Sequence, residues 1–453
     1  MDQVDIISNR TFDEIAIGDS AKLTRTLRRE DILPNFPTYP APSVSDGMWM
    51  EWLVLSLLAT KLPGPGTQFT AQSLHFYKPL NVGNTITAMV TVRQKKSTTR
   101  SIVLECNCTD GTGAVVVSGS LEVVAPTAKC GSNADAPSVP TRRHEKYDRL
   151  ISRCRGVQAI TTAVVYPCDE PSLTAVLDAA SVGLLAPILV GPSAKIADLA
   201  EKLKFDLSRF LIEDVPRSEG AAERAVELVR GGKADLLMKG SLHTDELLSA
   251  VVKRESGLRT QRRISHCFIM DIPTYHKPLI ITDAAVNVYP TLVDKADIVQ
   301  NAIDLSHSLG LQRPHVAILS AVETVNPKIQ TTLDAAALCK MADRKQITGA
   351  VLDGPLAMDN AISKSAAAIK GIDSPVAGEA DILVVPDLEA GNMLYKNLTF
   401  LAEADGAGIV LGARVPIILT SRADSIRTRL ASCAVAVLYA HAQRALVRVS
   451  AAE

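Results

Sequence analysis

Hydrophobic and polar residues change their spacing once along this chain, near residue 143. Before that point an apolar run, GMWMEWLVLSLLATKL at 47–62, precedes four segments of alternating apolar and polar residues: SLHFYKPL, TITAMVTVRQK, SIVLECNC and AVVVSGSLEVV. A run that is apolar almost all round predicts a helix covered by other structure, and alternation predicts strands with one buried face. We therefore expect an α+β domain over 1–125, in which a sheet curls around a helix.

After a stretch at 126–143 rich in Pro, Ala and Ser, which we interpret as a linker, the pattern is different. Short β-branched runs alternate with amphipathic helices, and the predicted strands include AITTAVVYP, APILVG, ADLLMKG, ISHCFIM, HVAILSA, ITGAVLDG, ADILVVP and VPIILTS. This alternation predicts an α/β domain with a largely parallel sheet over 144–453. Ligands of such sheets bind beyond the carboxyl ends of the strands, so the residues after each strand are candidates for a site.

Polar clusters follow five of these predicted strands. The first cluster lies where a strand gives way to a helix, and helix-start amides with a lysine and hydroxyls can bind an anion. It consists of Lys239, Ser241, His243 and Thr244; the others are Asn326 and Lys328, then Asp359 and Asn360, then Gly391, Asn392 and Lys396, and finally Thr420, Ser421, Arg422 and Asp424. We predict that they form one polar crevice suited to a phosphorylated substrate. Helix capping by Ser241 or Thr244 is the alternative for the first cluster.

The charge and cysteine content exclude some functions. A formal net charge of −1 gives no reason to expect nucleic acid or an acidic membrane surface as a partner. No long apolar run predicts a membrane span, and the start MDQVDIISNRTFDEI lacks a signal-peptide pattern. The scattered cysteines indicate reduced thiols and a cytoplasmic protein. Cys106 and Cys108 share a strand face and could be a metal or redox pair, but we favour strand packing because no second Cys/His pair completes a zinc set.

A basic loop, RTQRR at 259–263, has two interpretations. It is either a solvated surface or a site for an external phosphate, held by Arg259, Arg262 and Arg263. Neither a G-x-G-x-x-G nor a P-loop motif is present, so neither a dinucleotide nor a P-loop nucleotide is indicated.

Six long segments of the second region resemble one family. MKGSLHTDELL, ITDAAVNVYPTL, SAVETVNPKI, VLDGPLAMDNAIS, VVPDLEAGNMLYK and GARVPIILTSRADS are similar to the phosphate acetyl/butyryltransferases, and the resemblance covers about residues 150–445. It implies a two-domain α/β fold of the isocitrate/isopropylmalate dehydrogenase type with the active site in a cleft. It also implies reversible reaction of an acyl-CoA with phosphate to give an acyl phosphate and CoA. No bound cofactor or metal is implied, because CoA is a substrate.

The resemblance also implies roles for residues near the end of the chain. In the family's Ser-Arg motif, Ser421 would donate to the oxyanion that forms during acyl transfer. Arg422 would hold phosphate through a bidentate contact. Acetyl-specific members place an aspartate a few residues later, where this chain has Thr428. Asp424 is therefore our candidate for the base, with Asp359 as the alternative.

A second departure concerns phosphate binding. Acetyl-type members carry an arginine near the position of Ser249. Its absence here shifts phosphate or CoA binding toward Lys239, His243 or Arg259, and this brings the chain closer to the butyryl-like branch.

The first region resembles another family. NRTFDEIAIGDSAKLTRTLRREDI and the segment from GMWMEWL to ITAMVTV are similar to the hot-dog fold of MaoC-type enoyl-CoA hydratases. Those enzymes carry Asp and His in a G-D-x-N-P-x-H segment, which is missing from the connector at 33–46. We interpret the domain as catalytically degenerate, with Asp46 as the helix N-cap. The alternative pairs Asp46 with His75 as a makeshift acid and base.

Two functions of different class follow. The first is an active acyltransferase with a silent hot-dog domain, and its partners are acyl-CoA, acyl phosphate and phosphate. The second makes the hot-dog domain the main unit, either as an acyl-CoA-binding scaffold or with residual hydratase activity. Because hot-dog domains usually pair, we also expect a homo-oligomer.

Overall fold

A computed structural model of the chain describes residues 7–27, 44–81, 83–129, 131–132, 145–419 and 424–450. It divides the chain into two compact units, 1–142 and 143–453. Among the described residues, no helix is both long and apolar enough to cross a membrane.

The first unit is built from one long helix and an antiparallel sheet. Its elements are β1 (Ile7–Ser8), a 3₁₀ helix (Phe12–Glu14), β2 (Ser20–Thr26), α1 (Val44–Thr60), β3 (Gln68–Phe76), β4 (Thr85–Lys96), β5 (Ser101–Thr109), β6 (Val115–Val124) and β7 (Gly131–Ser132). The described strands β2, β4, β5, β6 and β3 form the sheet in that order, and every ladder is antiparallel.

Burial explains why these segments fold as predicted. Met50, Leu53, Val54 and Leu57 of α1 are nearly inaccessible to solvent, and they join one core with the inward residues of β4, β5 and β6. Each fully buried side chain of this kind stabilises the fold by about 1.5–3 kcal/mol. The expected helix and sheet are therefore present, in a hot-dog-like arrangement.

Three local predictions in this unit change. Strand β2 was not predicted, because SAKLTRT contains a single large apolar residue. Helix α1 begins at Val44, so Asp46 lies inside the first turn and is not the N-cap. The predicted linker starts too early, since β7 pairs with β1 and the Phe12 amide donates to the Pro126 carbonyl at 2.8 Å. The linker residues 130 and 133–143 lie outside the described residues.

The second unit alternates strands and helices. Its elements are α2 (Glu145–Arg153), β8 (Ile160–Val165), α3 (Glu170–Ser181), β9 (Leu185–Gly191), α4 (Ser193–Lys202), β10 (Leu211–Asp214), α5 (Ser218–Arg230), β11 (Leu236–Lys239), α6 (Thr244–Val252), β12 (Ser265–Asp271), β13 (Leu279–Thr282), α7 (Leu292–Ser308), β14 (His315–Leu319), α8 (Gln330–Asp343), β15 (Val351–Leu356), α9 (Met358–Ile362), α10 (Lys364–Ile369), β16 (Ile382–Val384), α11 (Leu388–Leu401), β17 (Asp405–Leu411), β18 (Ile417–Ile418) and α12 (Ile426–Ser450).

The described strands of this unit form one sheet. Their order is β10-β9-β8-β11-β18-β17-β12-β13-β16-β14-β15. Seven of its ten ladders are parallel, as the sequence predicts. The three antiparallel ladders join β18 to β17, β17 to β12, and β12 to β13. Strand polarity therefore reverses across the middle of the sheet.

Helices cover both faces of this sheet. On one face, α2, α3, α4, α7, α8 and α12 pack into a single core. On the other face, α5 and α6 pack on the half that contains β8 and β11, and α9, α10 and α11 pack on the half that contains β13 and β16.

Candidate active site

The loop after β11 is held by close backbone contacts. The Gly240 amide donates to the Val165 carbonyl and the Ser241 amide to the Tyr166 carbonyl, both at 2.9 Å. A Cβ at Gly240 would stand 2.4 Å from the Val165 carbonyl oxygen. Only glycine fits there, so the side chain of Lys239 and the start of α6 are fixed relative to β8.

The side chains of this loop have separate roles. The Ser241 hydroxyl donates to the Tyr166 carbonyl at 2.9 Å and accepts from the Cys168 amide at 3.3 Å, so it holds the loop. The N-cap of α6 is His243, not Ser241 or Thr244, and the capping alternative for these two hydroxyls is wrong. His243 is exposed and Thr244 is half-buried at this helix start.

The carboxyl end of β18 lies beside that of β11. The two strands are parallel neighbours, with Leu237 opposite Ile417 and Met238 opposite Ile418. The chain therefore leaves β18 at the sheet edge where Lys239 leaves β11. Thr420, Ser421 and Arg422 follow directly and lie outside the described residues. The description resumes at Asp424, which is half-buried, and Ser425 then accepts from the Thr428 amide at 3.1 Å at the start of α12.

A carboxylate that the sequence did not point to lies at this edge. Thr428, at the position where the family resemblance implies an aspartate, donates its hydroxyl to the Asp405 carboxylate at 3.3 Å. Asp405 opens β17, two strands away from β11 in the sheet. The sequence analysis missed it because Asp405 begins its strand, whereas the predicted site residues follow the ends of strands. The signal that could have indicated it is Thr428 itself. Because a hydroxyl occupies the position where the resemblance implies an aspartate, a carboxylate from another part of the chain could take its place.

Helix α11 reaches the same place. The ring of Tyr395 stacks on Phe268 with centroids 3.7 Å apart. Burial raises the pKa of the Tyr395 phenol, and the negative charges of Asp424 and Asp405 raise this pKa further. Both carboxylates therefore lie close enough to act on Tyr395 through space, and α11 joins the end of β18 at one site.

Gly391 has a different role from the predicted one. We expected Gly391 and Asn392 to let a ligand approach the backbone. A Cβ at Gly391 would stand 2.7 Å from Val385 Cγ2 and 2.9 Å from Ala284 Cβ, so the close approach is to the protein itself. Asn392 donates to the Ala284 carbonyl at 3.4 Å, and Lys396 is exposed one turn further along.

The ends of β14 and β15 form another polar cluster. Buried Asn360 donates to the Glu323 carboxylate at 3.0 Å, and Glu323 is ion-paired with Lys370. The hydrogen bond from Lys370 lowers the pKa of Glu323. Asp359 is exposed and lies 3.8 Å from Lys370.

Asn326 and Lys328 form a local turn in front of α8. The Asn326 side-chain oxygen accepts from the Lys328 amide at 3.0 Å, and the Thr332 hydroxyl donates to the Asn326 carbonyl at 2.9 Å. The Lys328 side chain is exposed.

The directions of the strands do not support the prediction that all five polar clusters form one crevice. That prediction treated all five strand ends as parallel. The antiparallel ladders around β17 and β12 place the carboxyl ends of β11 and β18 at one edge and those of β14, β15 and β16 at the other. The sheet polarity therefore groups Lys239 with Asp424 but does not bring Asn326 or Asn360 to them.

The arginine loop is largely engaged with α7. Arg262 is ion-paired with Asp304 at 2.9 Å, and Arg263 donates to Asn287 at 2.7 Å and lies 3.5 Å from Asp294. Arg259 is exposed and its backbone bridges to Ala413, which follows β17. The loop therefore borders the edge where β18 begins, and a phosphate there would compete with carboxylates for Arg262 and Arg263.

The described part of the first unit contains few side chains that are candidates for catalysis. His75 is exposed on β3 and its ring meets Tyr77 edge-on at 4.7 Å. Most of the connector, 33–43, lies outside the described residues, and the side chain of Asp46 is not described. Cys106 and Cys108 are fully buried on β5, as strand packing predicts.

Known proteins match the second unit. A family model described as "Phosphate acetyl/butaryl transferase" matches residues 220–437. The phosphate acetyltransferase of Rhizobium meliloti is 64% identical over 300 residues, which are 66% of this chain and 95% of that protein. The phosphate butyryltransferase of Clostridium acetobutylicum is 43% identical over 296 residues, 65% of this chain and 98% of that protein.

A solved structure agrees with these matches. The branched-chain phosphotransacylase from Enterococcus faecalis V583 is 31% identical, with a TM-score of 0.55, and the match covers 62% of this chain and 99% of that one. The fold and these matches define an acyl-group transferase. The chain belongs to the phosphate acetyl/butyryltransferase family, and it carries a hot-dog-like unit in front of the transferase unit.

Proposed function

We propose that this protein exchanges a short acyl group between CoA and phosphate at the edge where β11 and β18 end. The observation that supports the proposal is the parallel pairing of these strands, because Lys239 ends β11 and the Ser-Arg segment follows β18 in the sequence. Asp424, Asp405 and Tyr395 gather at the same end of β18.

Each residue of the proposed site has a separate role in the transfer of the acyl group. A phosphate oxygen attacks the thioester carbon, the C–O bond forms, and negative charge collects on the carbonyl oxygen. Ser421 donates to that oxyanion, and Arg422 with Lys239 holds phosphate. Collapse breaks the C–S bond, and the sulfur leaves as a thiolate that is protonated to free CoA. Asp424 accepts the proton lost by phosphate, and it deprotonates the CoA thiol in the reverse reaction.

Asp405 is the second candidate for the base. Its carboxylate lies 3.3 Å from the hydroxyl of Thr428, the position where the family resemblance implies an aspartate. Asp424→Asn and Asp405→Asn separate the two candidates. Loss of the base lowers kcat by about 10²–10⁴ and leaves the KM for phosphate nearly unchanged. The variant that keeps kcat within threefold identifies the carboxylate that is not the base.

The proposed function is tested by release of CoA thiol. Purified protein with acetyl-CoA or butyryl-CoA releases thiol only when phosphate is present, and Ser421→Ala lowers kcat by about 10²–10³. Ser365→Ala, on the short helix α10, is the matched control and keeps full activity. Phosphate-independent hydrolysis, or no turnover with any acyl-CoA from two to eight carbons, contradicts the proposal.

We infer acetyl as the preferred group within this range. The 64% identity to a protein named phosphate acetyltransferase supports it. The missing arginine at Ser249 pointed to the butyryl-like branch instead, so the acyl-length series decides between the two. A kcat/KM higher for butyryl-CoA than for acetyl-CoA overturns acetyl preference.

Other features are proposed on narrower support. We propose two lobes of the isocitrate/isopropylmalate dehydrogenase type, supported by the reversal of polarity between β18 and β13. We also propose a cytoplasmic homo-oligomer that works without a bound metal or cofactor. Light scattering measures the subunit count, and activity that survives a chelator supports metal independence.

We propose that the first unit binds acyl-CoA or mediates assembly of the oligomer, and that it does not catalyse a reaction. The exposed His75 has no described carboxylate partner for acid–base work. Residual hydratase activity is the alternative, and it is addressed by the crotonyl-CoA measurement below.

A further inference from the structure

Helix α2 contacts elements of the candidate active site, although none of its residues was predicted to belong there. It covers Glu145–Arg153 and lies outside residues 220–437, the part of the chain that the family model matches. Three consecutive residues near its start, Lys146, Tyr147 and Asp148, contact the end of β12, the start of β17 and the first turn of α12. The last two of these segments adjoin the candidate bases Asp405 and Asp424.

The Tyr147 side chain is held between two strands of the sheet. It is 1% exposed, and its hydroxyl shares its proton between the Ile269 carbonyl at 2.5 Å and the Asp405 carbonyl at 3.0 Å. The same hydroxyl accepts from the Ala407 amide at 2.5 Å. Ile269 and Ala407 are partners across the β12–β17 ladder. The hydroxyl therefore joins both strands where β17 begins.

The Tyr147 phenol keeps its proton at neutral pH. Burial raises the pKa of Tyr147 well above its ordinary value, and the negative charges of Asp405 and Asp271 raise this pKa further. A protonated phenol can donate a hydrogen bond to a carbonyl. The backbone of Asp405 is therefore held by a donor that comes from α2 and not from β17 itself.

Lys146 holds the neighbouring strand at the same level. Its ammonium pairs with Asp271 at 3.1 Å and donates to the Ile272 carbonyl at 2.5 Å. Asp271 is the ladder partner of Asp405. Helix α2 thus contacts both members of the residue pair at which the β12–β17 ladder ends.

Asp148 reaches the first turn of α12. Its carboxylate pairs with Arg427 at 2.7 Å, and Arg427 is the second residue of that helix. The two side chains are 52% and 23% exposed. An exposed pair of this kind stabilises a fold by only about 0–1 kcal/mol, but it restricts where α12 begins. Asp424 lies two residues before that helix.

We propose that α2 positions both candidate bases of the acyl-transfer site, with Tyr147 holding the backbone of Asp405 and Asp148 holding the start of α12 that follows Asp424. The inference rests on the proposed function, because it relates these contacts to the geometry of that reaction. Tyr147 and Asp148 act through other residues, so both are positioning residues. A misplacement of about 1 Å in a catalytic group can lower the rate about 10²-fold.

Steady-state kinetics of the full-length Tyr147→Phe variant tests the first contact. The ring stays in the core while the hydroxyl is lost, so we expect kcat to fall about 10–100-fold and the KM for phosphate to stay within about twofold. Arg153→Met is the matched control on the same helix, because the described contact of Arg153 is with the Leu309 carbonyl at the end of α7. This control keeps kcat even if its Tm falls as far as that of Tyr147→Phe.

Two outcomes contradict the role of Tyr147. One is a kcat of Tyr147→Phe within about twofold of the unaltered protein. The other is an equal loss of kcat in Arg153→Met, because the effect would then come from loosening of α2 as a whole.

Asp148→Asn tests the second contact with little loss of stability. We expect kcat to fall at least about threefold while the Tm stays close to that of the unaltered protein. Asp148→Glu retains the charge and therefore retains most of kcat. Equal kcat values for Asp148→Asn and the unaltered protein overturn the role of Asp148.

Hydrogen exchange tests the positioning separately from catalysis. The Ala407 amide should exchange at least about tenfold faster in Tyr147→Phe, because its acceptor is removed, and Arg153→Met should leave this amide unchanged. If the unaltered protein releases no thiol with phosphate but Ala407 responds in this way, the proposed function fails and the hold of α2 on β17 is supported. Equally slow exchange of Ala407 in Tyr147→Phe overturns the inference whatever the activity.

Discussion

At the scale of single residues, the site depends on groups whose surroundings change their chemistry. Tyr395 is the clearest described case, because burial and two nearby carboxylates raise the pKa of its phenol and keep it protonated at neutral pH. It can therefore donate a hydrogen bond but cannot act as a base. We therefore propose that the carboxylates around it carry out the acid–base chemistry.

Arg422 is predicted to need its planar fork. Arg422→Lys retains the charge but loses the bidentate contact with phosphate. We expect the KM for phosphate to rise and kcat/KM for phosphate to fall by about 10–100-fold, the loss of one charged hydrogen bond. The KM for CoA in the reverse direction is the internal control and changes little. Unchanged phosphate kinetics would place Arg422 outside the site.

His266 is predicted to make the protein sensitive to acid. It is 1% exposed, its Nδ1 has no partner among the described residues, and burial lowers its pKa to about 3. Between pH 6.5 and about 3 the unfolded chain binds a proton that the folded protein does not. Stability is therefore full above pH 6.5 and falls as the pH decreases, by up to about 1.4 kcal/mol per pH unit.

Urea unfolding from pH 7.5 to 4.5 measures this effect. His266→Gln removes the titrating group, so the slope of stability against pH becomes shallower even if the variant is less stable at pH 7.5. The exposed His276→Gln is the control and keeps the original slope. Equal slopes for His266→Gln and the unaltered protein contradict the prediction.

At the scale of elements, helices and strands are positioned by backbone contacts as much as by side-chain pattern. Helix α11 lies close to the segment after β13 only because Gly391 has no side chain, and the first turn after β11 depends on Gly240 in the same way. These two glycines hold elements of the candidate site in place.

Gly391→Ala is predicted to push α11 outward. The new methyl would stand 2.7 Å from Val385 and 2.9 Å from Ala284, and both distances are shorter than van der Waals contact. Overpacking of this kind costs about 1–3 kcal/mol, so chemical unfolding shows a lower midpoint and activity per molecule decreases. Gly47→Ala in α1 is the control, since Phe76, at 3.9 Å, is the single contact that its methyl makes with the described part of the chain. If Gly391→Ala were as stable as the unaltered protein, the packing around α11 would accommodate a methyl group and the prediction would be wrong.

The sequence predicted the elements well and their directions less well. Alternation and apolar runs located α1 and most strands, because burial dictates those patterns. The direction of a strand within the sheet depends on which strands become its neighbours. No local pattern in ISHCFIM or HVAILSA predicts that direction. The same limit explains why Asp405 was missed and why Asn360 was grouped with Lys239.

At the scale of the whole molecule, two units with different architectures share one chain. The transferase unit carries the family's motifs, while the described part of the first unit offers no pair of acid and base. The first unit nevertheless keeps a well-formed core around Leu53 and Leu57. This core does not depend on the presence of catalytic side chains.

We predict that the full-length protein does not hydrate crotonyl-CoA. His75 is exposed and faces Tyr77, and Asp46 belongs to the first turn of α1. The loss of crotonyl-CoA absorbance in the presence of the protein measures the activity. Hydration that disappears in Asp46→Asn would show a rebuilt hydratase site, whereas hydration that persists in that variant would point to another pair.

The place of β18 has a consequence for synthesis of the protein. This strand lies between β11 and β17 in the middle of the sheet, although Ile417–Ile418, which form it, come later in the sequence than every other described strand of the sheet. A ribosome delivers residues in order, so β11 waits on the nascent chain with an open edge until β18 emerges. Open strand edges are templates for wrong pairing. The sheet of the transferase unit is therefore completed only after β18 has been translated, and a chain that stalls before β18 exposes the centre of the sheet rather than its rim.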